Sequence, residues 1–156
     1  MTALYRAHYR SLVGLAAFLV GDVATAEVIV QDSFVAVHGG WGRLRDNERA
    51  LAYLRRSVLN RSRSVLRHRV TVDKTAPEPP PDLPAAEQTS LAQLGGSAVV
   101  AALRALPLRQ REALVLRFYA DMSPAQIASV MGISVDAVRS HTARAMSSLR
   151  AVLEKE

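Results

Sequence analysis

Arginine side chains form the first candidate binding site in this chain. When the stretch that begins at about Glu48 is drawn as a helix at about 100° per residue, its apolar side chains fall on one side. The other side carries four guanidinium groups, here called the arginine ridge, with Tyr53 and Asn60 beside them: Arg49, Arg56, Arg63 and Arg67. Like charges at this spacing repel each other, so the ridge favours an anionic partner, and phosphates are the natural candidate. A solvated amphipathic face and a membrane-surface helix are the alternatives.

A second candidate site lies near the C-terminus, in the stretch SPAQIASVMGISVDAVRSHTARAMSSLR. A capping box begins at Ser123, with proline at the first helical position and Gln126 three residues after the cap. Gly132 predicts a left-handed end to this helix, and Ser134 predicts the cap of the next one. The pattern predicts two short-linked helices around a tight turn.

The second of these helices has two distinct faces. Its apolar side chains, from Val138 to Leu149, recur at helical spacing and predict packing against the first helix. The opposite face carries small residues and hydrogen-bonding groups: Asp136, Arg139, Ser140, Ala143 and Arg144. Such a face can enter the major groove of DNA and reach base edges. We therefore predict a helix-turn-helix; the alternative is an ordinary helical hairpin with a solvated arginine face.

The first forty residues predict two further helices, which are separated at Gly21 and Asp22. The apolar side chains of the second helix point one way. Its other side mixes acids and an amide with valines: Glu27, Val28, Gln31, Asp32 and Val35. This pattern is consistent both with a docking surface for another protein and with scattered exposed valines that need no function.

Composition and charge indicate how these elements are organised. Hydrophobic residues make up 49% of the 156 residues, aromatic residues only 5%, and strand-like alternation is scarce, so we predict an all-α fold. The net charge is +6, but residues 70–97 carry one basic and four acidic side chains and five of the seven prolines. We therefore predict helical domains at 1–70 and 97–156, joined by an acidic, extended linker at 71–96.

Several kinds of site are disfavoured. Without cysteine, the chain has no disulfide, thiol nucleophile or cysteine-type zinc site. The four histidines lie far apart and lack metal-ligand spacing: His8, His38, His68 and His141. We expect no enzymatic activity, metal or cofactor. The sequence shows no apolar run suited to a signal peptide or a membrane span, so a cytoplasmic location is expected.

Taken in order, these motifs resemble an extracytoplasmic-function (ECF) sigma factor of the sigma-70 family. The resemblance runs through HYRSLVGLAAFLVGD and VQDSF, then ALAYLRRSVLNRSRSVLRHR, then ALRALPLRQREALVLRFYADMSPAQIASVMGIS, and is most like the actinobacterial SigE-like branch. It implies a region 2 that binds the polymerase clamp and opens the −10 element, and a region 4 that reads the −35 element and touches the flap. The implied partners are core RNA polymerase, promoter DNA and, as a further candidate, an anti-sigma factor or adaptor, without membrane insertion.

The resemblance also implies roles for individual residues. The set implied to dock on core polymerase is Glu27, Val28, Gln31 and Asp32, where Val28 occupies a position that is usually acidic. The set implied to bind the −10 element is Arg49, Arg56, Asn60, Arg63 and Arg67. The set implied to bind the −35 element is Asp136, Arg139, Ser140, His141 and Arg144. Trp41 precedes the arginine helix and fits either a core position or a base-stacking position.

Two other functions stay open on the sequence. One is a dimeric helix-turn-helix repressor, although no dimerisation helix or effector pocket is apparent. The other is a sigma-like protein that binds a partner without starting transcripts, and Val28 is the feature that favours it.

Overall fold

The computed structural model describes residues 2–40, 47–75 and 97–154. Within these ranges the chain forms seven α-helices and no strand, which confirms the predicted all-α fold. The helices are α1 (Thr2–Val20), α2 (Val23–Gly39), α3 (Asn47–Thr75), α4 (Ser97–Ala105), α5 (Leu108–Phe118), α6 (Pro124–Met131) and α7 (Val135–Glu154). Trp41 and residues 76–96 of the predicted linker lie outside the described residues.

Helices α1, α2 and α3 form an N-terminal unit around an apolar core. The side chains of α2 that the pattern assigns to the inside are all buried: Ala26, Ile29, Val30, Phe34 and Val37. They meet buried leucines of the neighbouring helices, including Leu15 of α1 and Leu54 of α3. Burying each large apolar side chain contributes about 1.5–3 kcal/mol to stability, so this packing holds the exposed faces in place.

The turn between α1 and α2 forms as its residue types predict. Gly21 has φ +92°, a left-handed conformation that glycine adopts without steric cost. Asp22 is extended and caps α2, since its carboxylate accepts a hydrogen bond from the Thr25 backbone N–H at 2.7 Å.

Helix α3 continues beyond the predicted domain boundary at residue 70 and ends at Thr75. The physical reason lies in the sequence, because the first proline of the linker is Pro77 and nothing before it removes a backbone donor.

Helices α4 to α7 form a C-terminal unit that contains the predicted helix-turn-helix in α6 and α7. The capping box is present: the Gln126 N–H donates to Ser123 Oγ at 3.2 Å, and the Ser123 N–H donates to Gln126 Oε1 at 2.9 Å. Gly132 ends α6 at φ +72° and ψ +35°, and Ser134 caps α7 by accepting from the Ala137 N–H at 3.1 Å. The predicted helix-turn-helix is confirmed in its caps, its turn and its packed face.

The two units pack against each other. Buried apolar residues from both belong to one continuous core, and at the contact the Phe18 and Tyr119 rings meet edge to face with centroids 5.1 Å apart. The N-terminal unit therefore does not stand apart from the helix-turn-helix, and its surfaces have to be described together with the neighbouring unit.

Candidate nucleic-acid and polymerase interfaces

The free side of α7 presents the side chains that the sequence assigns to DNA. Asp136, Arg139, Ser140 and Arg144, here called the recognition face, are all exposed. The opposite side of the helix is held by Val138 and Ala145, which are 1% and 0% exposed. Four polar side chains are thus presented together on a helix whose other side is fixed in the core, as major-groove recognition requires.

His141, the fifth residue assigned to the −35 element, is placed differently. It is only partly exposed, and its buried Nδ1 has no hydrogen-bond partner. It lies at the border between the recognition face and the packed side of α7, so it is less available to DNA than the other four residues.

The arginine ridge on α3 forms, but its members differ in exposure. Arg49, Arg56 and Arg67 are exposed, as is Asn60, whereas Arg63 is partly buried. The Arg63 guanidinium donates to both carboxylate oxygens of Glu112, with Nε to Oε2 and Nη2 to Oε1 each 2.8 Å. One of the predicted −10 residues is therefore already paired with an acid of the other unit.

Arg56 also contacts the C-terminal unit, because its Nη2 donates to the Ser129 carbonyl oxygen of α6 at 2.8 Å. Beside it, a cleft of about 320 Å³ runs along α3, and its lining includes Tyr53, Asn60 and Arg61. Tyr53 is 50% exposed, so an aromatic face, an amide and guanidinium groups are available at one place.

The outward face of α2 carries all four residues of the predicted docking set, here called the docking face: Glu27, Val28, Gln31 and Asp32. Val28 is 56% exposed and Val35, two turns further along, is 71% exposed. Gln31 lies within hydrogen-bond distance of the Tyr9 hydroxyl, to which its Nε2 donates at 3.4 Å. The outward side of α2 thus combines the two carboxylates of the docking face with two exposed valines, Val28 and Val35.

Two charged residues of α5 are buried, and the sequence patterns described above do not identify them as functional or structural sites. Arg111 is 9% exposed and Glu112 is 0% exposed. A signal was available, since positions 108, 111, 112 and 115 share the apolar face of this helix at spacings of three and four. Charged residues at such positions are buried only when they are paired, which points to a structural or functional contact.

Arg111 connects the ends of two helices. Its guanidinium donates to the carbonyl oxygen of Leu19 in α1 at 2.6 Å. It also donates to the carbonyl oxygens of Arg104, in the last turn of α4, and of Leu106, just after α4, at 3.1 Å each. Burial, and then the neighbouring Arg104, lower the pKa of Arg111, while Glu112 raises it. A cation beside the C-terminal ends of α1 and α4 is favourable, because helix C-termini expose unpaired carbonyl groups.

Arg69, near the end of α3, has a structural role as well. It donates to Asp22 Oδ2 at 2.7 Å and also to the Val20 carbonyl oxygen. Burial raises the pKa of Asp22. The hydrogen bonds from Thr25 and Arg69 together lower it by a larger amount, so the pKa lies below its ordinary value.

Within the described ranges, no group of three or more histidine or acidic side chains is placed to hold a metal ion. No helix in the same ranges is both long enough and apolar enough to span a bilayer.

A helix-turn-helix with a free recognition face, packed beside a helical unit with an arginine ridge, defines a two-part, all-helical DNA-binding protein. The family model described as Sigma-70 region 2 matches residues 4–71, and the model described as Sigma-70, region 4 matches residues 97–149. The chain belongs to the sigma-70 family, in its ECF group, and is an RNA polymerase sigma factor that directs promoter-specific transcription. The predicted resemblance is confirmed.

Curated relatives carry matching descriptions. The RNA polymerase sigma-E factor of Streptomyces avermitilis is 31% identical over 136 residues, which cover 87% of this chain and 75% of that protein. The ECF RNA polymerase sigma factor SigM of Mycobacterium tuberculosis is 32% identical over 154 residues, which cover 96% of this chain and 75% of that protein.

Solved structures share the fold. The sigma factor RpoE from Bartonella quintana, in complex with the anti-sigma factor NepR, is 22% identical, with a TM-score of 0.74 over 99% of this chain and 98% of that chain. CnrH, in complex with the cytosolic domain of CnrY, is 28% identical, with a TM-score of 0.75 over 99% of this chain and 88% of that chain. Both alignments span the two helical units together.

Proposed function

We propose that this sigma factor divides its work among three surfaces, with the docking face of α2 on core polymerase, the arginine ridge of α3 on the −10 element and the recognition face of α7 on the −35 element. Residues 1–70 then act as region 2, residues 71–96 as linker and residues 97–156 as region 4. The observation that carries the proposal is the recognition face, whose four polar side chains are exposed on a helix with a buried opposite side.

Recognition of the −35 element rests on the chemistry of α7. The guanidinium groups of Arg139 and Arg144 can each donate two hydrogen bonds to O6 and N7 of a guanine, and Asp136 can accept from the N4 amino group of a cytosine. The N-terminal turns of α7 lie next to the cap at Ser134, where backbone N–H groups favour an adjacent phosphate. These contacts would fix both the position and the base preference of region 4.

Recognition of the −10 element rests on α3. Arg49, Arg56 and Arg67 are exposed cations along one face, suited to the phosphates of a single strand. The cleft beside Tyr53 and Asn60 offers a ring for stacking and an amide for hydrogen bonding to an unstacked base.

Docking on core polymerase rests on the mixed character of α2. Glu27 and Asp32 would pair with basic residues of the polymerase clamp, and Val28 and Val35 would add apolar contact area. The protein itself performs no bond chemistry, because the polymerase makes the phosphodiester bonds, and it acts in the cytoplasm, where it meets core polymerase.

An anti-sigma factor or adaptor is a further candidate partner. RpoE is described in complex with an anti-sigma factor, and this chain shares its fold. An apolar groove of about 250 Å³ where the two units meet supports the proposal, since its lining includes Phe18, Phe118, Tyr119 and Met146.

The test is transcription in vitro with purified core polymerase. Holoenzyme assembled with the full chain would capture genomic fragments, and the recovered sequences should share two spaced elements from which transcripts start. A chain that binds core polymerase but supports no transcript from any recovered fragment would favour the sigma-like binding protein. A chain that does not bind core polymerase would favour a helix-turn-helix regulator.

A further inference from the structure

A second cleft lies where the two units meet, and arginines of both units line it. Its volume is about 790 Å³, and its described lining comes from α1, α3, α4 and α5. We call it the arginine cleft after six residues of that lining: Arg63, Arg67, Arg69, Arg104, Arg109 and Arg111. Three of these arginines belong to α3 and three to α4 and α5, so a molecule in the cleft would contact both units.

The carboxylates of the described residues neutralise only part of this charge. Glu112 pairs with two of the six arginines, at 2.8 Å and 3.3 Å, and Asp22 pairs with a third at 2.7 Å. Three arginines of the cleft form no ion pair within the described residues: Arg67, Arg104 and Arg111. Six guanidinium groups thus meet two carboxylates, which leaves an excess of four positive charges in one cleft. Like charges held this close repel each other, and a bound anion would relieve the repulsion.

Arg111 is the least compensated cation of the arginine cleft. It is 9% exposed, its guanidinium donates only to uncharged carbonyl oxygens, and its buried Nε has no hydrogen-bond partner. After burial, the charge of Arg104 is the next cause of its lowered pKa. Buried charges in proteins are normally paired with an opposite charge. The cleft therefore contains a cation whose counter-ion a ligand would supply.

The first turn of α5 lies at the same cleft. Pro107 precedes this helix and provides no side-chain cap, and the first turn has no acidic residue. Leu108 and Arg109, at its first two positions, line the cleft. A helix N-terminus carries a partial positive charge and unpaired N–H groups, so cations are unfavourable there and an anion is favourable. The backbone of α5 therefore adds to the positive potential of the side chains.

Apolar side chains complete the described lining of the cleft, together with Thr71: Leu19, Val20, Leu66, Val70 and Leu108. Val70 is 56% exposed, so apolar surface is available beside the cations. Guanidinium groups pair with phosphates and also stack on planar rings. The volume lies within the range of small-molecule sites, about 300–1,000 Å³. The cleft thus suits a nucleotide in size and in chemistry.

We propose that the arginine cleft is a binding site for a small ligand with two or more linked phosphate groups, such as a nucleoside diphosphate. A terminal phosphate carries about 1.5 to 2 negative charges at neutral pH, so linked phosphates can offset the excess positive charge of the cleft. Because the ligand binds the folded chain, it stabilises the protein by an amount that grows with its concentration. The inference goes beyond the promoter contacts proposed above, since neither DNA nor polymerase takes part in it.

The test is a titration of the free, full-length protein with GDP that carries a fluorescent N-methylanthraniloyl label. Unlabelled GDP, pyrophosphate and inorganic phosphate then compete for the site. Arg104→Gln is the variant, because Arg104 lines the cleft, is exposed and forms no ion pair within the described residues. Its charge repels Arg111, so its removal should leave the ligand-free protein as stable as before. Arg150→Gln is the matched control, with the same charge change at an exposed position of α7 outside the cleft.

We expect saturable binding of the labelled GDP, which Arg104→Gln weakens by about tenfold and Arg150→Gln leaves unchanged. Unlabelled GDP should raise the melting temperature of the wild-type protein, and by less in Arg104→Gln. The ligand-free melting temperature of Arg104→Gln should not fall, which separates a lost ligand contact from a lost fold. Equal competition by pyrophosphate and GDP would assign the site to the linked phosphates alone, and weaker competition by pyrophosphate would assign it to a nucleotide.

Four results would overturn the proposal. The first is the absence of saturable binding up to about 1 mM labelled GDP. The second is an equal change, or no change, of affinity in Arg104→Gln and Arg150→Gln, since the probe would then respond to net charge or bind elsewhere. The third is inorganic phosphate that competes as well as pyrophosphate. The fourth is single-stranded oligothymidine that displaces the probe at a lower concentration of phosphate groups than pyrophosphate requires, which would make the cleft part of a nucleic-acid site.

Discussion

The two arginine-bearing helices of this protein have similar chemistry, but one arginine of α3 lies in a different environment from the arginines of α7. On α7, Arg139 and Arg144 project into solvent from a helix whose other side is buried. On α3, Arg63 reaches a buried carboxylate of the other unit at 2.8 Å. The difference shows that an exposed arginine stripe in a sequence identifies cations, but the tertiary structure decides which of them are available to DNA.

The largest effect is expected at a third surface, which tests whether the docking face is a binding site at all. Glu27→Lys should weaken binding to core polymerase by about 2–5 kcal/mol if the carboxylate pairs with a buried cation, and by much less at a rim position. A titration of labelled core polymerase at low and high salt measures this, with Glu154→Lys as the control of equal charge change at an exposed site. Wild-type affinity for Glu27→Lys would show that α2 is not the docking helix.

The next effect sharpens the contrast between the two arginine helices. Arg144→Ala and Arg139→Ala should each cost about 1–3 kcal/mol in binding of a promoter duplex and relax the preference at one base of the −35 element. Binding to randomised duplexes, followed by sequencing, measures both quantities, and Arg10→Ala on α1 is the control. If base preference and affinity are unchanged in both variants, α7 does not read the promoter.

The arginine ridge should behave differently under the same treatment. Arg67→Ala, at an exposed ridge position, should weaken binding of an opened promoter evenly across sequences and reduce the salt slope by about 1, because phosphate contacts carry no base information. A loss of preference at a single base would instead place Arg67 among the base-reading residues.

A structural arginine on α3 gives a pH-dependent prediction. Asp22, bonded to Arg69 and Thr25, has a lowered pKa in the folded protein, so its contribution to stability is present above its unfolded pKa and is lost as the pH falls through the folded pKa. Asp22→Asn keeps a side chain that can cap α2 but removes the charge that pairs with Arg69, so it should lower the free energy of unfolding at neutral pH by about 0.2–1 kcal/mol.

Urea unfolding of Asp22→Asn and wild type at several pH values measures this contribution. The two proteins should converge at acidic pH, where Asp22 is protonated in both the folded and unfolded states. A difference that stays constant with pH would mean that the carboxylate charge contributes nothing.

The smallest effect concerns Val28, which occupies a position that is usually acidic in the ECF sigma factors that this chain resembles. Val28→Asp should tighten core binding by about 0.2–1 kcal/mol, mainly at low salt, as expected for an exposed charge at an interface. Stability should change little, since the side chain is 56% exposed. Weaker binding would identify the valine as an apolar contact in its own right.

Local features of this fold could be predicted from the sequence, because they depend on neighbouring residues. The caps at Asp22, Ser123 and Ser134 and the left-handed Gly132 all form where the residue types place them. The buried face of α2 follows from spacing alone. The same reasoning placed the recognition face outward on α7.

Features that depend on distant residues could not be predicted in the same way. Arg63 and Glu112 are 49 positions apart, so the pattern of either helix gives no sign that they meet. His141 lies at the border of two faces, where helical spacing does not decide exposure. The C-terminal end of α3 lies at Thr75, two residues before Pro77, rather than at residue 70, where the charge of the sequence changes sign.

The contrast between α7 and α3 is tested most directly by the chemical reactivity of individual arginines in the free, full-length protein. Phenylglyoxal modifies accessible guanidinium groups, and mass spectrometry reports the rate at each site. The account predicts that Arg139 and Arg144 react rapidly while Arg63 is protected, and that Glu112→Gln raises the rate at Arg63 without changing the rates at Arg139 and Arg144. Equal rates at Arg63 and Arg144 in the wild-type protein would contradict it.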